Sequence, residues 1–402
     1  MAPYESEDSQ SQGTGRRKAV RYAVPVAVVG VAAATIGLVP ALADSGDPDL
    51  PKVTAQELIE KIATSDTEQL SGTVKIHTDL GLPSLGGAAV GGFTGGGGGG
   101  EKGDGSSADP RTKLTELATG EHTLRVAADG PDRQKLSVLD DAAEYSVIHN
   151  GADVWAYDSA SNEAYHAKDT RAAGDRAGKK TPEQLPATPK QLTDEILKAS
   201  ADTTSITVDG TAQVAGRDAY RLQIKPKQSG STVGAITVSV DAKTGTPLKF
   251  TLTPASGGAA VVDAGFTSVD FGKPAASTFD FKPSKGTKVT EADELRTQDR
   301  EKAVPQGADQ LDGLNVIGEG WTSIAELKLP KEAGGMASGA ASGELPADAQ
   351  KFLSSLGDQV KGDFGTGTVY STRLVNVLIT QDGKAYAGAV TKDALVKAAD
   401  AG

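Results

Sequence analysis

The stretch Asp132–His166, DRQKLSVLDDAAEYSVIHNGADVWAYDSASNEAYH, decides the fold. Arg133–Leu139 alternates, with Leu136 and Val138 facing one way and Arg133, Lys135 and Ser137 the other. Ala143–His149 runs into Asn150-Gly151, the strongest two-residue hairpin signal. Asp153–Tyr157 and Glu163–His166 continue the series. Period-two alternation through consecutive short strands predicts an antiparallel sheet with one apolar face.

The same pattern extends both ways. Upstream, Gly72–Leu80 alternates at Val74 and Ile76, and Glu121–Ala128 at Leu124 and Val126. Downstream come Ser205–Val208 and Ala212–Val214, read as two strands turning at Asp209-Gly210. Then Tyr220–Lys225 carries Leu222 and Ile224, the next strand carries Ile236 and Val238, and the one after the Asp241–Gly245 turn carries Leu248 and Phe250. Val261–Asp270 and Phe279–Phe281 end the series. Two helices interrupt it. One starts at the capping box Thr54-Ala55-Gln56-Glu57, with Leu58, Ile59 and Ile62 as its stripe. The other starts at Thr188-Pro189, with Leu192, Ile196 and Ala199 inside. The class is α+β, a sheet curled around helices.

The remaining segments set the domain layout. Residues 1–21 form a basic leader, and 22–43 hold an uncharged apolar run, YAVPVAVVGVAAATIGLVPAL at 22–42, long enough to span a bilayer. Arg16, Arg17, Lys18 and Arg21 precede it, which keeps the leader cytoplasmic and exports the rest. It reads as a retained anchor or, from Ala41-Leu42-Ala43, as a cleaved export signal. Residues 54–290 form the main domain. Within it, 81–108 contain 13 glycines and are expected to stay disordered. A basic loop at 168–181 reads as a solvated hinge or a contact for anionic headgroups of the cytoplasmic membrane. A charged linker covers 291–313. A small C-terminal α+β unit covers 314–402, with a strand at Trp321–Leu327, a helix begun by Pro346, a hairpin through Asp382-Gly383 and a last helix capped by Thr391.

Composition narrows function. A net charge of -12 argues against nucleic-acid partners, which require a basic face. The absence of cysteine removes disulfides, thiolate metal sites, Cys nucleophiles and a lipidated N-terminal cysteine. The four histidines, His77, His122, His149 and His166, are not spaced as a metal site within any element. No GxSxG, GxxxxGK[ST] or HExxH occurs. The expectation is a protein without catalysis, metal or cofactor. Leu136, Val138, Leu222, Ile224, Ile236, Val238, Leu248 and Phe250 alternate along four strands as the candidate lining of an apolar cavity, with an ordinary packed core as the alternative.

The order of parts resembles the LolA-like lipoprotein-carrier family in its actinobacterial form, across roughly residues 54–290. The most specific pieces are Asn150-Gly151 with Asp153-Val154-Trp155-Ala156-Tyr157-Asp158, and Val240-Asp241 through Gly245-Thr246-Pro247-Leu248. The resemblance implies an unclosed β half-barrel whose concave face is covered by helices and binds lipid acyl chains or lipoproteins. A large domain of this kind followed by a smaller unit also resembles the RseB/MucB regulators. That implies an envelope regulatory protein as candidate partner, extracytoplasmic location and membrane association or secretion. No residue of this chain matches the carriers' arginine latch, and no single site residue is carried over.

Overall fold

The computed structural model describes residues 47–81, 119–140, 142–168, 197–198, 200–291, 314–329 and 357–402. The apolar run at 22–42, the glycine-rich stretch beyond Gly81, the basic loop beyond Lys168, the linker beyond Glu291 and the helix begun by Pro346 lie outside these residues. So does the helix begun at Thr188, except its end, which is helical at 197, 198 and 200. No helix among the described residues is long and apolar enough to cross a membrane.

The described residues build two sheets. The first half of the large sheet is a meander of β1 (Gln69–Thr78), β2 (Gly120–Asp129), β3 (Arg133–Leu139), β4 (Glu144–Asn150), β5 (Asp153–Asp158) and β6 (Glu163–Lys168). The second half comprises β7 (Thr204–Val214), β8 (Arg217–Pro226), β9 (Val233–Asp241), β10 (Pro247–Pro254) and β11 (Val262–Asp270). Pairing of β1 with β11 joins the halves, and β12 (Lys288–Glu291) adds an edge strand, giving the order β12-β6-β5-β4-β3-β2-β1-β11-β10-β9-β8-β7. Every pair is antiparallel except β12 with β6. The sheet does not close, since β12 and β7 are its edges.

Local chemistry fixes the register. At the β4–β5 hairpin Asn150 pairs with Asp153, so the two loop residues are Gly151 and Ala152. Gly151 takes φ +67°, the left-handed value that a first central residue needs in such a turn. Asp209-Gly210 is not a turn: β7 runs through it as one strand, with a register shift between Val208 and Thr211. Gly210 at φ +79° absorbs the irregularity. Phe279–Phe281 is likewise no strand. It follows a single 3₁₀ turn at Ala276–Thr278 in a strap that leads from β11 to β12.

One helix, α1 (Ala55–Ala63), packs on the second half of the sheet. Its capping box forms as the sequence predicts: Glu57 N–H donates to Thr54 Oγ1 at 3.1 Å, and Thr54 N–H donates to Glu57 Oε2 at 2.7 Å. Its C-terminal end rests on the β9–β10 turn. There Asp241 Oδ1 accepts from Lys243 N–H at 2.9 Å, Thr244 N–H at 2.7 Å and the Thr244 hydroxyl at 3.0 Å. A Cβ on Gly245 would lie 2.5 Å from the Lys61 carbonyl oxygen, so the helix end demands glycine at that turn.

The second sheet has the order β13-β14-β18-β17-β16-β15, all antiparallel. Its strands are β13 (Asn315–Ile317), β14 (Ile324–Lys328), β15 (Gly357–Gly362), β16 (Gly365–Ser371), β17 (Asn376–Thr380) and β18 (Lys384–Gly388). Helix α2 (Lys392–Asp400) covers it, with Leu395, Ala398 and Ala399 packed among Ile324, Val369, Leu378 and Tyr386. The predicted strand at Trp321 starts later: Gly320–Thr322 is a 3₁₀ turn, and β14 begins at Ile324. Among the described residues, the two sheets touch at two places. At one, Trp321 Nε1 donates to Thr204 Oγ1 at 2.8 Å, and Thr232 N–H donates to the Ala389 carbonyl at 2.9 Å. At the other, Arg373 donates to Asp79 Oδ2 at 2.6 Å and to the Ala259 carbonyl.

Candidate functional site

The paired strands carry the apolar face across the large sheet in rows. In the first half, Val74, Leu124, Val138 and Tyr145 stand opposite one another and are buried. The next row is Gly72, Val126, Leu136, Val147, Ala156 and Tyr165, and all but Ala156 are half-buried. Beyond it lie Leu70, Ala128, Gln134, His149, Val154 and Ala167, where polar groups appear and Gln134 is exposed. The face therefore grades from dry core to a polar rim over three rows. Among the described residues its cluster is built from strand residues with Ala215 and Phe271, and no helix joins it.

The second half differs. Leu222, Ile224, Ile236 and Val238 form a buried cluster with Tyr220, Val240, Leu58 of α1 and Trp321. Ile59 and Ile62 of α1 pack against it, as do Leu50 and Val53. The Tyr220 hydroxyl donates to the Pro51 carbonyl at 2.9 Å, which holds the segment before the helix in place.

The structure thus divides the eight candidate lining residues. Leu136 and Val138 belong to the first cluster; Leu222, Ile224, Ile236 and Val238 belong to the second. Phe250 is half-buried and touches both. Leu248 falls at a register shift between Pro247 and Lys249 and is fully buried in the first cluster. By register Leu136, Val138, Leu222, Ile224, Ile236, Val238 and Phe250 share one face of the sheet.

Over β1–β3 the opposite face is mostly polar. It carries a groove of about 480 Å³ lined by Ser71, Thr73, Arg125, Lys135, Ser137 and Glu144, with Thr278 of the strap at its wall. At its floor the buried Ser146 hydroxyl donates to Glu144 Oε1 at 2.6 Å, so the buried Ser137 hydroxyl donates to Ser146 at 2.8 Å. Burial alone would raise the Glu144 carboxyl; the Ser146 and Ser137 hydroxyls with Lys135 and Arg125 outweigh it and hold the group below the usual carboxylate range. The polar residues of this face were visible in the alternation of β2–β4, but no sequence signal gathered them into a groove.

Farther along this face, strap and strand edge meet. The Phe281 ring lies 5.3 Å from Trp155 and 5.2 Å from Tyr157, and Phe279 is buried. His166 stacks on Trp155 at 4.0 Å between centroids. Its Nδ1 is 2.8 Å from Glu291 Oε2 and its Nε2 is 2.9 Å from Asp153 Oδ1. The carboxylates meet opposite ring nitrogens and do not converge on one point. No group of three His, Asp or Glu among the described residues is arranged to hold a metal ion. No pattern in the sequence points to this cluster, because Glu291 lies 125 residues from His166.

No family model matches the chain, and no curated protein does. Solved structures are similar at low identity. A chain of the Pseudomonas aeruginosa MucA/MucB complex is 14% identical, with 86% of this chain and 96% of that chain covered and a TM-score of 0.38. An uncharacterized conserved protein from Thermus thermophilus is 11% identical, with coverages of 59% and 98% and a TM-score of 0.31. A LolA superfamily protein from Nitrosomonas europaea is 11% identical, with coverages of 57% and 99% and a TM-score of 0.21. The architecture stands on the chain's own strand order and register, and the neighbours include MucB and LolA superfamily proteins, the two groups its sequence resembles.

Proposed function

We propose that this chain is an extracytoplasmic, non-catalytic binding or carrier protein for lipid acyl chains or lipoproteins at the cell envelope. The main unit is residues 54–290, and the smaller unit, 314–402, docks on it. The observation that supports this is the contrast within one apolar face. The β8–β10 part is filled by α1 and Trp321, whereas the β1–β6 part presents a half-buried row at Val126, Leu136, Val147 and Tyr165. An acyl chain lying along that row would remove apolar surface from water at about 25 cal/mol per Å². The acyl site is accordingly placed over Val126, Leu136 and Val147, and the Leu222, Ile224, Ile236 and Val238 group serves as core.

Paired substitutions test this. Leu136→Glu puts a carboxylate into the half-open row, where the rim leaves it access to water. The protein should fold and lose uptake of a fluorescent fatty acid. Val238→Glu buries the charge under α1, and should unfold the domain. A folded Leu136→Glu variant with unchanged uptake would contradict the placement.

A second reading, a regulatory module that senses envelope state through a partner membrane protein, draws on the docked second sheet. Arg373 ties its β16–β17 turn to the end of β1, so a change on the large sheet has a direct route to the smaller unit. A pull-down from solubilised native membranes with Arg373→Ala as control separates the two, because a carrier needs no partner that depends on that contact.

A further inference from the structure

His166 is buried on β6, yet both ring nitrogens face carboxylates. A neutral imidazole has one N–H and one lone pair. It satisfies one of these carboxylates and presents its lone pair to the other at under 3 Å. The imidazolium donates to both, and its stacking on the Trp155 indole adds a cation–π attraction that the neutral ring lacks. The doubly protonated ring is therefore the form that bonds both carboxylates.

What the two carboxylates belong to gives this consequence. Asp153 is on β5, inside the sheet; Glu291 ends β12, the four-residue parallel strand that forms the sheet's edge. Besides its parallel backbone pairing with β6, β12 makes few side-chain contacts among the described residues. Its residues are mostly exposed, Val289 included, so burial contributes little. Its start is held by Asn162, whose carbonyl accepts from Lys288 N–H at 3.1 Å and whose Oδ1 accepts from the Thr287 hydroxyl at 2.9 Å. Lys288 Nζ reaches Glu163 at 2.9 Å, an exposed contact of small worth. Lys168, register partner of Asp153 on β6, is a further charge on the strand of the ring.

We propose that His166 is a proton-operated clasp: protonated, it pins β12 to the edge of β6, and on losing its proton it releases residues 284–291 and bares that edge. The direction follows from which form bonds. The bound proton stabilises the closed strap, so closure is favoured while the ring holds its second proton and weakened once it is lost. An exported protein meets the pH outside the membrane directly, so the clasp would report it.

The test is hydrogen exchange of the full chain at pH 5.5 and 8.5, corrected for intrinsic exchange, with side-chain nitrogen NMR of His166. Amides at 286–291 should exchange roughly tenfold faster or more at pH 8.5, the loss expected for one ionic hydrogen bond. At pH 5.5 both His166 nitrogens should carry protons. Glu291→Gln is the discriminating variant. Its side-chain amide donates to a neutral ring nitrogen and its oxygen accepts from a protonated one, so the strap should stay protected at both pH values. A wild-type strap with equal protection at both pH values, or a neutral His166 at pH 5.5 with the strap closed, would overturn the proposal. So would a Glu291→Gln strap that opens with pH as the wild type does.

Discussion

The two halves of the large sheet start from the same alternating pattern and end differently. In β8–β10, Leu222, Ile224, Ile236 and Val238 meet Leu58 of α1 and Trp321 and are core. In β2–β4, Val126, Leu136 and Val147 have the same chemistry and the same face but stay half-buried. Alternation tells which face is apolar. What covers that face is decided by partners distant in sequence, here a helix at residue 58 and a tryptophan at residue 321. The same sheet thus carries a finished core in one half and a half-buried apolar row in the other.

The largest way to break this comparison is to remove a cover. Trp321→Ala deletes a mostly buried indole and its hydrogen bond to Thr204, and should cost about 3–5 kcal/mol. Urea melts of the full chain should show this loss. Fatty-acid uptake by the folded variant should remain, since Trp321 belongs to the cluster of the filled half. Loss of uptake in a variant that stays folded would show that the halves are not separate in function.

Acid gives the next effect. Burial would raise the Asp241 carboxyl, but Arg217, the Thr244 N–H and the Thr244 hydroxyl outweigh it and hold it below its usual range. A carboxyl depressed in the folded state contributes stability that is present above its unfolded value, near pH 4, and is lost as pH falls through the folded value. The turn it organises carries the end of α1. Amides of α1 and β8 should therefore lose exchange protection below about pH 4 before those of β2–β4 do. Asp241→Ala should abolish that order and cost about 3 kcal/mol at neutral pH, read by urea melts. Equal acid sensitivity of both halves would count against the turn as anchor of the filled half.

The smallest effect sharpens the seam. Ala215 sits at φ +51° in the β7–β8 turn and packs against the cluster of the first half. A left-handed alanine costs roughly 1 kcal/mol, and asparagine tolerates this region better. Ala215→Asn should raise the melting temperature by a few degrees, about 0.5 kcal/mol, without changing uptake. A drop would mean that the Ala215 methyl contact outweighs the strain.

The β2–β6 meander was legible because polar and apolar residues alternate cleanly and the turns carry Gly130 and Gly151. The Asp241–Gly245 motif was legible as a turn, but its reason appears only where Lys61 crowds Gly245. β15 and β16 were missed. GDQVKGDFGTGTVYS has four glycines before its first apolar run, and at Gly367 a Cβ would meet the Ile379 carbonyl and the Leu378 side chain at 2.8 Å. β12 was missed because Lys288–Glu291 is short and mostly exposed, held by Asn162 and His166 rather than by pattern. The candidate lining was legible as a face and not as a site. Strand alternation does not say that α1 covers Val238 and leaves Leu136 half open.

The central claim is that an acyl chain lies on the β1–β6 part of the apolar face. The direct measurement is photolabelling of the full chain with a diazirine fatty acid, followed by peptide mapping of the adducts. The account predicts adducts on Val126, Leu136, Val147 or Tyr165 that unlabelled fatty acid competes away. Adducts confined to Leu222, Ile224, Ile236 and Val238, or no competable adduct anywhere in residues 119–168, would contradict it.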